Sequence, residues 1–195
     1  MRADGHGIRA ALTLQPQLRL PCKIAVFLQP AAEDSTRLTW SAEDKKLVSG
    51  WEATLRRKGI ASELFLMSDI VVDGISGTSI PKLRLAAAKH GASALLIVRG
   101  SRTLDEYYNP LAALYLTVVG YFIIPGSHAD ANVSLDGALF DVANEYLYLS
   151  LEAEGRGESF GPGAILKGDR ATADAKEEAL LLFGEALLDR IERLR

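Results

Sequence analysis

Two kinds of hydrophobic pattern divide this chain. In its first half, short apolar runs at Lys23–Gln29, Ser62–Ser68 and Ala94–Val98 alternate with stretches whose apolar residues recur at helical spacing. Runs that are apolar on both faces are typical of buried central strands, and the helical spacing is typical of helices that cover a sheet. We therefore predict the order strand, helix, strand, helix, strand, with right-handed crossovers.

The ends of the two predicted helices are marked in the sequence. Ser41 can cap the first helix, and Gly59 is a natural stop. Pro81 suits the first turn of the second helix, and Gly91 closes it. The residues predicted to form the buried faces are Val48, Trp51 and Leu55 in the first helix and Leu83, Ala86, Ala87 and His90 in the second.

The second half of the chain changes to an alternating pattern, which predicts a hairpin around a turn at 143–145 with one buried face. The Gly-rich segment 155–170 predicts a loop, and Thr172 can cap a last helix. The predicted inward residues of the hairpin are Val133, Leu135, Leu139, Leu147, Leu149 and Leu151. The apolar stripe of the last helix is Leu180, Phe183, Leu187, Ile191 and Leu194.

These elements predict one α/β domain with a mixed β-sheet: a βαβαβ first half, a β-hairpin second half and a C-terminal helix packed on the sheet. A chain of 195 residues fits a single domain with a real core. Residues 1–20 have no clear period, and we expect them to form an N-terminal arm or linker. The domain is expected to span residues 21–195.

Composition and charge narrow the class of protein. Hydrophobic residues make up 48% of the chain and charged residues 24%, and the formal net charge is -3. Nucleic-acid binders normally carry a basic surplus, because neutralised phosphates supply most of their affinity. The basic clusters Lys45–Lys46 and Arg56–Lys58 fit a solvated helix face. We therefore expect no nucleic-acid partner.

The sequence also bears on the compartment. A lone cysteine, Cys22, excludes an internal disulfide, and its position predicts a small buried residue at the start of a strand. The longest apolar run, Leu111–Ile124, is too short for a membrane-spanning helix of about 20 residues. No signal peptide is present as written. We therefore expect either a cytoplasmic protein or one whose start was trimmed.

No group of residues predicts chemistry. His6 lies in the arm, and His90 ends a helix. His128, Asp130 and Asn132 in the segment SHADAN have atoms that could bind a metal ion, but a polar hairpin loop explains them as well, and no second cluster of ligands is evident. Asp105 and Glu106 are adjacent on a predicted strand and would point to opposite faces. Asp136 and Asp141 could be called paired carboxylates, but Asp141 better fits a hairpin turn. We predict no catalytic, cofactor-binding or metal site, and no enzyme.

Segment 103–126 is unusually rich in aromatic residues. An ordinary half-buried strand with its connection explains it, and so does a contact surface, since Tyr-rich apolar patches are common at interfaces. A long strand at a sheet edge could also pair with another chain. The residues of this possible interaction surface are Tyr107, Tyr108, Tyr115, Tyr121 and Phe122.

An apolar V-G-x-x-x-x-P-G block precedes a polar loop and L-D-x-x-x-x-D; these residues are Val119, Gly120, Pro125, Gly126, Leu135, Asp136 and Asp141. In these segments, and between about Leu20 and Arg195 as a whole, the chain resembles the rhombotarget lipoproteins of the bacterial envelope. The resemblance implies a lipid anchor in the full-length precursor, a cell-envelope location and no established activity. The order of elements is also similar to the amino-terminal domain of the Tol-system propeller protein and to the curli-secretion lipoprotein.

Two hypotheses follow. The favoured one is a non-catalytic domain of an envelope lipoprotein that binds a protein partner or itself and meets the membrane only through a lipid anchor. The alternative is a cytoplasmic α/β enzyme or small-ligand-binding domain. In such sheets ligands bind beyond the carboxyl ends of the strands, here near Gln29, Asp69, Arg99 and Ser101.

Overall fold

A computed structural model describes residues 5–29, 38–68, 79–107, 127–161 and 167–193. Over these residues the chain forms five strands and four helices. The strands are β1 Cys22–Leu28, β2 Ala61–Leu66, β3 Ala94–Tyr107, β4 Ser127–Asp141 and β5 Leu147–Gly161. The helices are α1 Gly5–Leu12, α2 Ala42–Arg57, α3 Ile80–Lys89 and α4 Lys167–Glu192.

The strands form one mixed sheet in the order β2-β1-β3-β4-β5. β1 pairs in parallel with β2 and β3, whereas β4 is antiparallel to both β3 and β5. The parallel part comes from the βαβαβ first half and the antiparallel part from the hairpin, with α4 packed on the sheet. The predicted fold class is confirmed.

The larger core lies between the sheet and the layer formed by α2 and α4. Trp51 of α2 stacks on Phe183 of α4 with ring centroids 5.6 Å apart. Leu180 and Leu187 of α4 are buried, as the predicted stripe requires. The buried strand residues of this core include Ile24, Val26, Leu96, Val98, Val133, Leu135, Leu139, Leu149 and Leu151.

A smaller core lies on the other side of the sheet, under α3. Leu83, Ala86 and Ala87 of this helix pack against Phe27 of β1 and Leu95 of β3. His90, predicted to share this buried face, is exposed and lies beyond the last residue of the helix. As its strand residues show, this smaller core covers only the parallel part of the sheet.

The predicted ends of α2 are confirmed. The Ser41 side chain accepts a hydrogen bond from the Asp44 backbone N–H, and the Asp44 carboxylate accepts one from the Ser41 N–H, which completes a capping box. Gly59 follows the helix with a φ of 68°. Only glycine adopts this left-handed conformation without strain, so the stop is encoded locally.

The structure corrects the predicted Gly-rich loop. β5 continues as a paired strand to Gly161, and α4 begins at Lys167, so most of segment 155–170 is regular structure. Thr172 lies inside α4 rather than at its cap, and its buried hydroxyl has no hydrogen-bond partner among the described residues. Gly155 and Gly157 face α4 directly, and a Cβ at either position would overlap the helix backbone.

A second correction concerns the hairpin turn. The register between β4 and β5 shifts between Leu139 and Phe140, which places Phe140 opposite Leu147. This bulge turns Leu147 outward, and it is 48% exposed instead of buried. The turn itself lies where it was predicted, and Glu145 adopts a φ of 68° in it.

Candidate functional site

The antiparallel half of the sheet leaves one face without a covering helix among the described residues. β3, β4 and β5 contain 14, 15 and 15 residues, whereas β1 and β2 contain 7 and 6. The smaller core under α3 contains residues of β1, β2 and β3, and no described helix covers the same side of β4 and β5, which is exposed. We call this surface the open face. Its described residues are Arg99, Ser101, Thr103, Asp130, Asn132, Ser134, Asp136, Ser150, Glu152, Glu154, Arg156 and Glu158.

Strand register arranges the open face in rows of three residues across β3, β4 and β5. The first charged row is Arg99, Asp136 and Glu152, and the Arg99 Nε lies 3.7 Å from the Asp136 Oδ2. The next row is Ser101, Ser134 and Glu154, and then comes Thr103, Asn132 and Arg156. Beyond them Asp130 lies opposite Glu158, a like-charge pair that destabilises a sheet unless a cation or a partner compensates it.

A groove of about 660 Å³ lies at the α3 end of the open face. Its apolar residues are Ile80, Leu83, Ile97, Ala138 and Phe140. Its polar residues include Gln29, Arg99, Asp136, Glu152 and Arg190. Gln29 and Arg99, named in the ligand-binding hypothesis, thus lie together here; Ser101 lies in the adjacent row, and Asp69 is outside the described residues.

The outer edge of β5 is partly closed by α4. Arg190 Nη1 donates a hydrogen bond to the Ser150 carbonyl at 3.2 Å, and the Glu178 carboxylate accepts one from the Arg156 N–H at 2.7 Å. An incoming strand would have to displace both side chains before it could pair with this edge. The open face is therefore more accessible to a partner protein than the outer edge of β5 is.

Among the described residues, the most buried carboxylate belongs to Asp141, at the end of β4. It accepts hydrogen bonds from the Tyr148 hydroxyl at 2.7 Å and from the backbone N–H groups of Ala143 and Gln17 at 2.8 and 3.2 Å. The Tyr148 hydroxyl also accepts from the Leu18 N–H at 2.7 Å. Burial, and then the hydrogen bond to Asp141, raise the pKa of Tyr148 to about 12. This cluster ties the N-terminal segment to the hairpin and does not converge with Asp136.

Cys22 lies at the start of β1 and is 4% exposed, as predicted. Burial, together with the negative charge of Asp141, raises the pKa of its thiol from an ordinary 9.0 to about 11. Because the thiolate is the nucleophilic form, this side chain is unreactive at neutral pH. Its contribution is to packing.

The raised pKa of Cys22 predicts a specific loss of stability in alkali. Between pH 9 and pH 11 the unfolded thiol has lost its proton while the folded thiol keeps it. The folded chain then binds more protons, so the free energy of unfolding falls as the pH rises through this window. Urea unfolding below pH 9 and near pH 11 should show a smaller loss for Cys22→Ala than for the natural chain. Equal losses would contradict the assignment.

The predicted aromatic surface lies almost wholly outside the described residues. Tyr107 is the last residue of β3, and Tyr108, Tyr115, Tyr121 and Phe122 fall in 108–126. The segment SHADAN is the start of β4 rather than a loop. Within the described ranges, no three His, Cys, Asp or Glu side chains are grouped to hold a metal ion.

Sequence reasoning did not identify the open face. The available signal is the alternation of polar residues in β4 and β5, and this alternation shows only which side of each strand is buried. Their neighbours across the sheet depend on register, which no local pattern reveals.

The sequence matches no protein-family model and no curated protein. Its fold is similar to that of a neuraminyllactose-binding hemagglutinin homolog from Helicobacter pylori, with 9% identity over 90% of this chain and 92% of the other, at a TM-score of 0.48. A minor lipoprotein from Acinetobacter baumannii has 8% identity over 90% and 95%, at 0.42. A lipoprotein from Neisseria meningitidis has 13% identity over 89% and 99%, at 0.39. No described helix has the length and apolar character needed to cross a bilayer.

Proposed function

We propose that this chain is a non-catalytic domain of a bacterial envelope lipoprotein that binds another protein or another copy of itself. The envelope assignment is supported by the resemblance of the V-G-x-x-x-x-P-G and L-D-x-x-x-x-D segments to the rhombotarget lipoproteins. The binding role is supported mainly by the open face, where strands of 14 and 15 residues expose one side. Sheets normally bury both sides or keep one polar side in water, and this one combines charge rows with an apolar groove.

A non-catalytic role is favoured by the way the buried polar groups are used. Asp141 binds backbone N–H groups of the turn and of the N-terminal segment. Asp44 is paired with Lys176 of α4 at 2.6 Å, which joins two helices. The Cys22 thiol is protonated. A catalytic group must instead be free to reach a substrate, and none of these three is.

A mass measurement and a crosslinking experiment test the proposed function. Light scattering after size-exclusion chromatography should give a mass above that of one chain, or crosslinking in envelope extracts should join the chain to one reproducible partner. Asp136→Lys, on the open face, should reduce either contact, whereas Asp174→Lys, on the exposed side of α4, should not. A strict monomer without any crosslinked partner would refute the proposal.

The groove supports a second candidate function, the binding of a small ligand. It combines an apolar floor with the side chains of Gln29, Arg99 and Glu152, and such mixed linings are typical of ligand sites. Thermal-shift screening with nucleotides and metal ions would test this function. A shift that is abolished by Phe140→Ala together with Arg99→Ala would favour a ligand site over a protein contact.

A further inference from the structure

The outer side of α2 has four basic residues, Lys45, Lys46, Arg56 and Arg57, against two carboxylates, Glu43 and Glu52, a net charge of +2. Glu52 pairs with Arg56 at 3.5 Å. We call the basic part of this surface the basic helix face. Its charged residues lie at the two ends of the helix, and small residues lie between them, where Gly50 has open space beyond its Cα. All of its side chains are exposed. The residues of the basic helix face are Lys45, Lys46, Ser49, Gly50, Ala53, Arg56 and Arg57.

The open face has the opposite charge. Its described residues include five carboxylates against two guanidinium groups, a net charge of -3. Asp130, Glu154 and Glu158 form no ion pair with any described residue, so their charges are available to a partner. Ser101 and Ser134, whose row also contains Glu154, lie between the carboxylates at the two ends of the face.

We infer that α2 of one copy packs on the open face of a second copy. This inference rests on the proposed function and names its partner. The charges are complementary, and opposite potentials on two surfaces favour their association and fix its register. The small residues at the centre of α2 would allow this helix to approach Ser101 and Ser134 of the second copy closely.

The dimensions of the two surfaces agree. α2 has 16 residues, which is about 24 Å at the rise of an α-helix. Its basic ends, Lys46 and Arg57, are separated by roughly 16 Å on the same scale. On the open face, Asp136 and Asp130 are separated along β4 by about 20 Å at the rise of a strand. Both ends of the helix can therefore reach carboxylates at once.

The two surfaces lie on opposite sides of the sheet, because α2 packs on the side of the larger core and the open face is the other side. One copy can thus use both surfaces with different neighbours. Such a heterologous contact produces a ring or a filament rather than a two-fold dimer. Self-association should accordingly proceed beyond two copies, and it should weaken as salt screens the charges.

A charge-swap experiment on the full chain tests this contact. The first variant reverses α2 (Lys45→Glu, Lys46→Glu, Arg57→Glu), and the second reverses the open face (Glu152→Lys, Glu154→Lys, Glu158→Lys). Sedimentation velocity should show self-association at least about tenfold weaker for each variant alone. An equimolar mixture should recover the assemblies, because the acidic helix of the first variant then meets the basic face of the second.

A matched control for the open-face variant makes the same three acid-to-lysine changes on the solvent side of α4, with Asp174→Lys, Glu177→Lys and Glu185→Lys. It should associate like the natural chain. Assembly that stops at a dimer, an unassociated natural chain, or variants that the mixture fails to rescue would each overturn the inference. If crosslinking in any of those cases found a different protein as the partner, the proposed function would still stand. A monomer without any partner would refute both the proposed function and this inference.

Discussion

Gly157→Ala will lower the free energy of unfolding by about 3 kcal/mol. A Cβ at position 157 would overlap the carbonyl oxygen of Ala171 and lie 2.7 Å from the Ala175 nitrogen, and both atoms belong to the backbone of α4. A flexible side chain could move aside, but a helix backbone held by Leu180, Phe183 and Leu187 cannot shift without opening the larger core. Urea unfolding of the natural chain and the variant would measure the difference.

Two further glycine variants show whether the cost comes from the contact. Gly155→Ala meets the backbone of Ala175 and Ala179 in the same way and should cost a similar amount. Gly50→Ala is the control, because a Cβ there has no neighbour within 4 Å. At a dilution where the chain is monomeric, it should stabilise α2 by about 0.5–1 kcal/mol through helix propensity. A mild effect at both Gly155 and Gly157 would show that α4 lies farther from β5 than the structure places it.

The glycines explain why the second half of the fold was only partly predicted. Gly155, Gly157 and Gly161 follow the alternating strand pattern, and a cluster of glycines normally marks a loop. Here Gly155 and Gly157 have no side chain, so α4 can pack closely against β5, with Ala171, Ala175 and Ala179 on the facing side of the helix. That contact is between segments distant in sequence, so no local pattern identifies it. The strand boundary was missed for this reason.

The first half was predictable because its signals are local. The capping box at Ser41, the stop at Gly59 and the buried run of β1 depend on neighbouring residues only. The open face depends instead on which residue of β3 lies opposite which residue of β4 and β5. One extra residue in β5, Tyr148 opposite the step from Leu139 to Phe140, was enough to turn Leu147 outward. Register and bulges are set by the whole sheet, so neither the open face nor the outward position of Leu147 could be predicted from the sequence.

Lys176→Met will lower the free energy of unfolding by about 3 kcal/mol. The Lys176 ammonium lies 2.6 Å from the Asp44 carboxylate and donates to the Thr39 carbonyl at 3.0 Å, and the two side chains are 12% and 8% exposed. Removal of the cation leaves a buried carboxylate without its counter-charge, which costs more than the pair itself contributes. Urea unfolding near neutral pH would measure this loss.

The double variant Asp44→Asn with Lys176→Met should recover much of that loss, because it removes the uncompensated charge and still leaves a side-chain oxygen to accept from the Ser41 N–H. Arg193→Ala is the control for ion pairs in general: its partner Asp189 is 58% exposed, and the change should be within about 0.5 kcal/mol. If the double variant were no more stable than Lys176→Met, burial of the unpaired charge would not be the cause. The loss would then come from the hydrogen bond to the Thr39 carbonyl or from the packing of the lysine stem between α2 and α4.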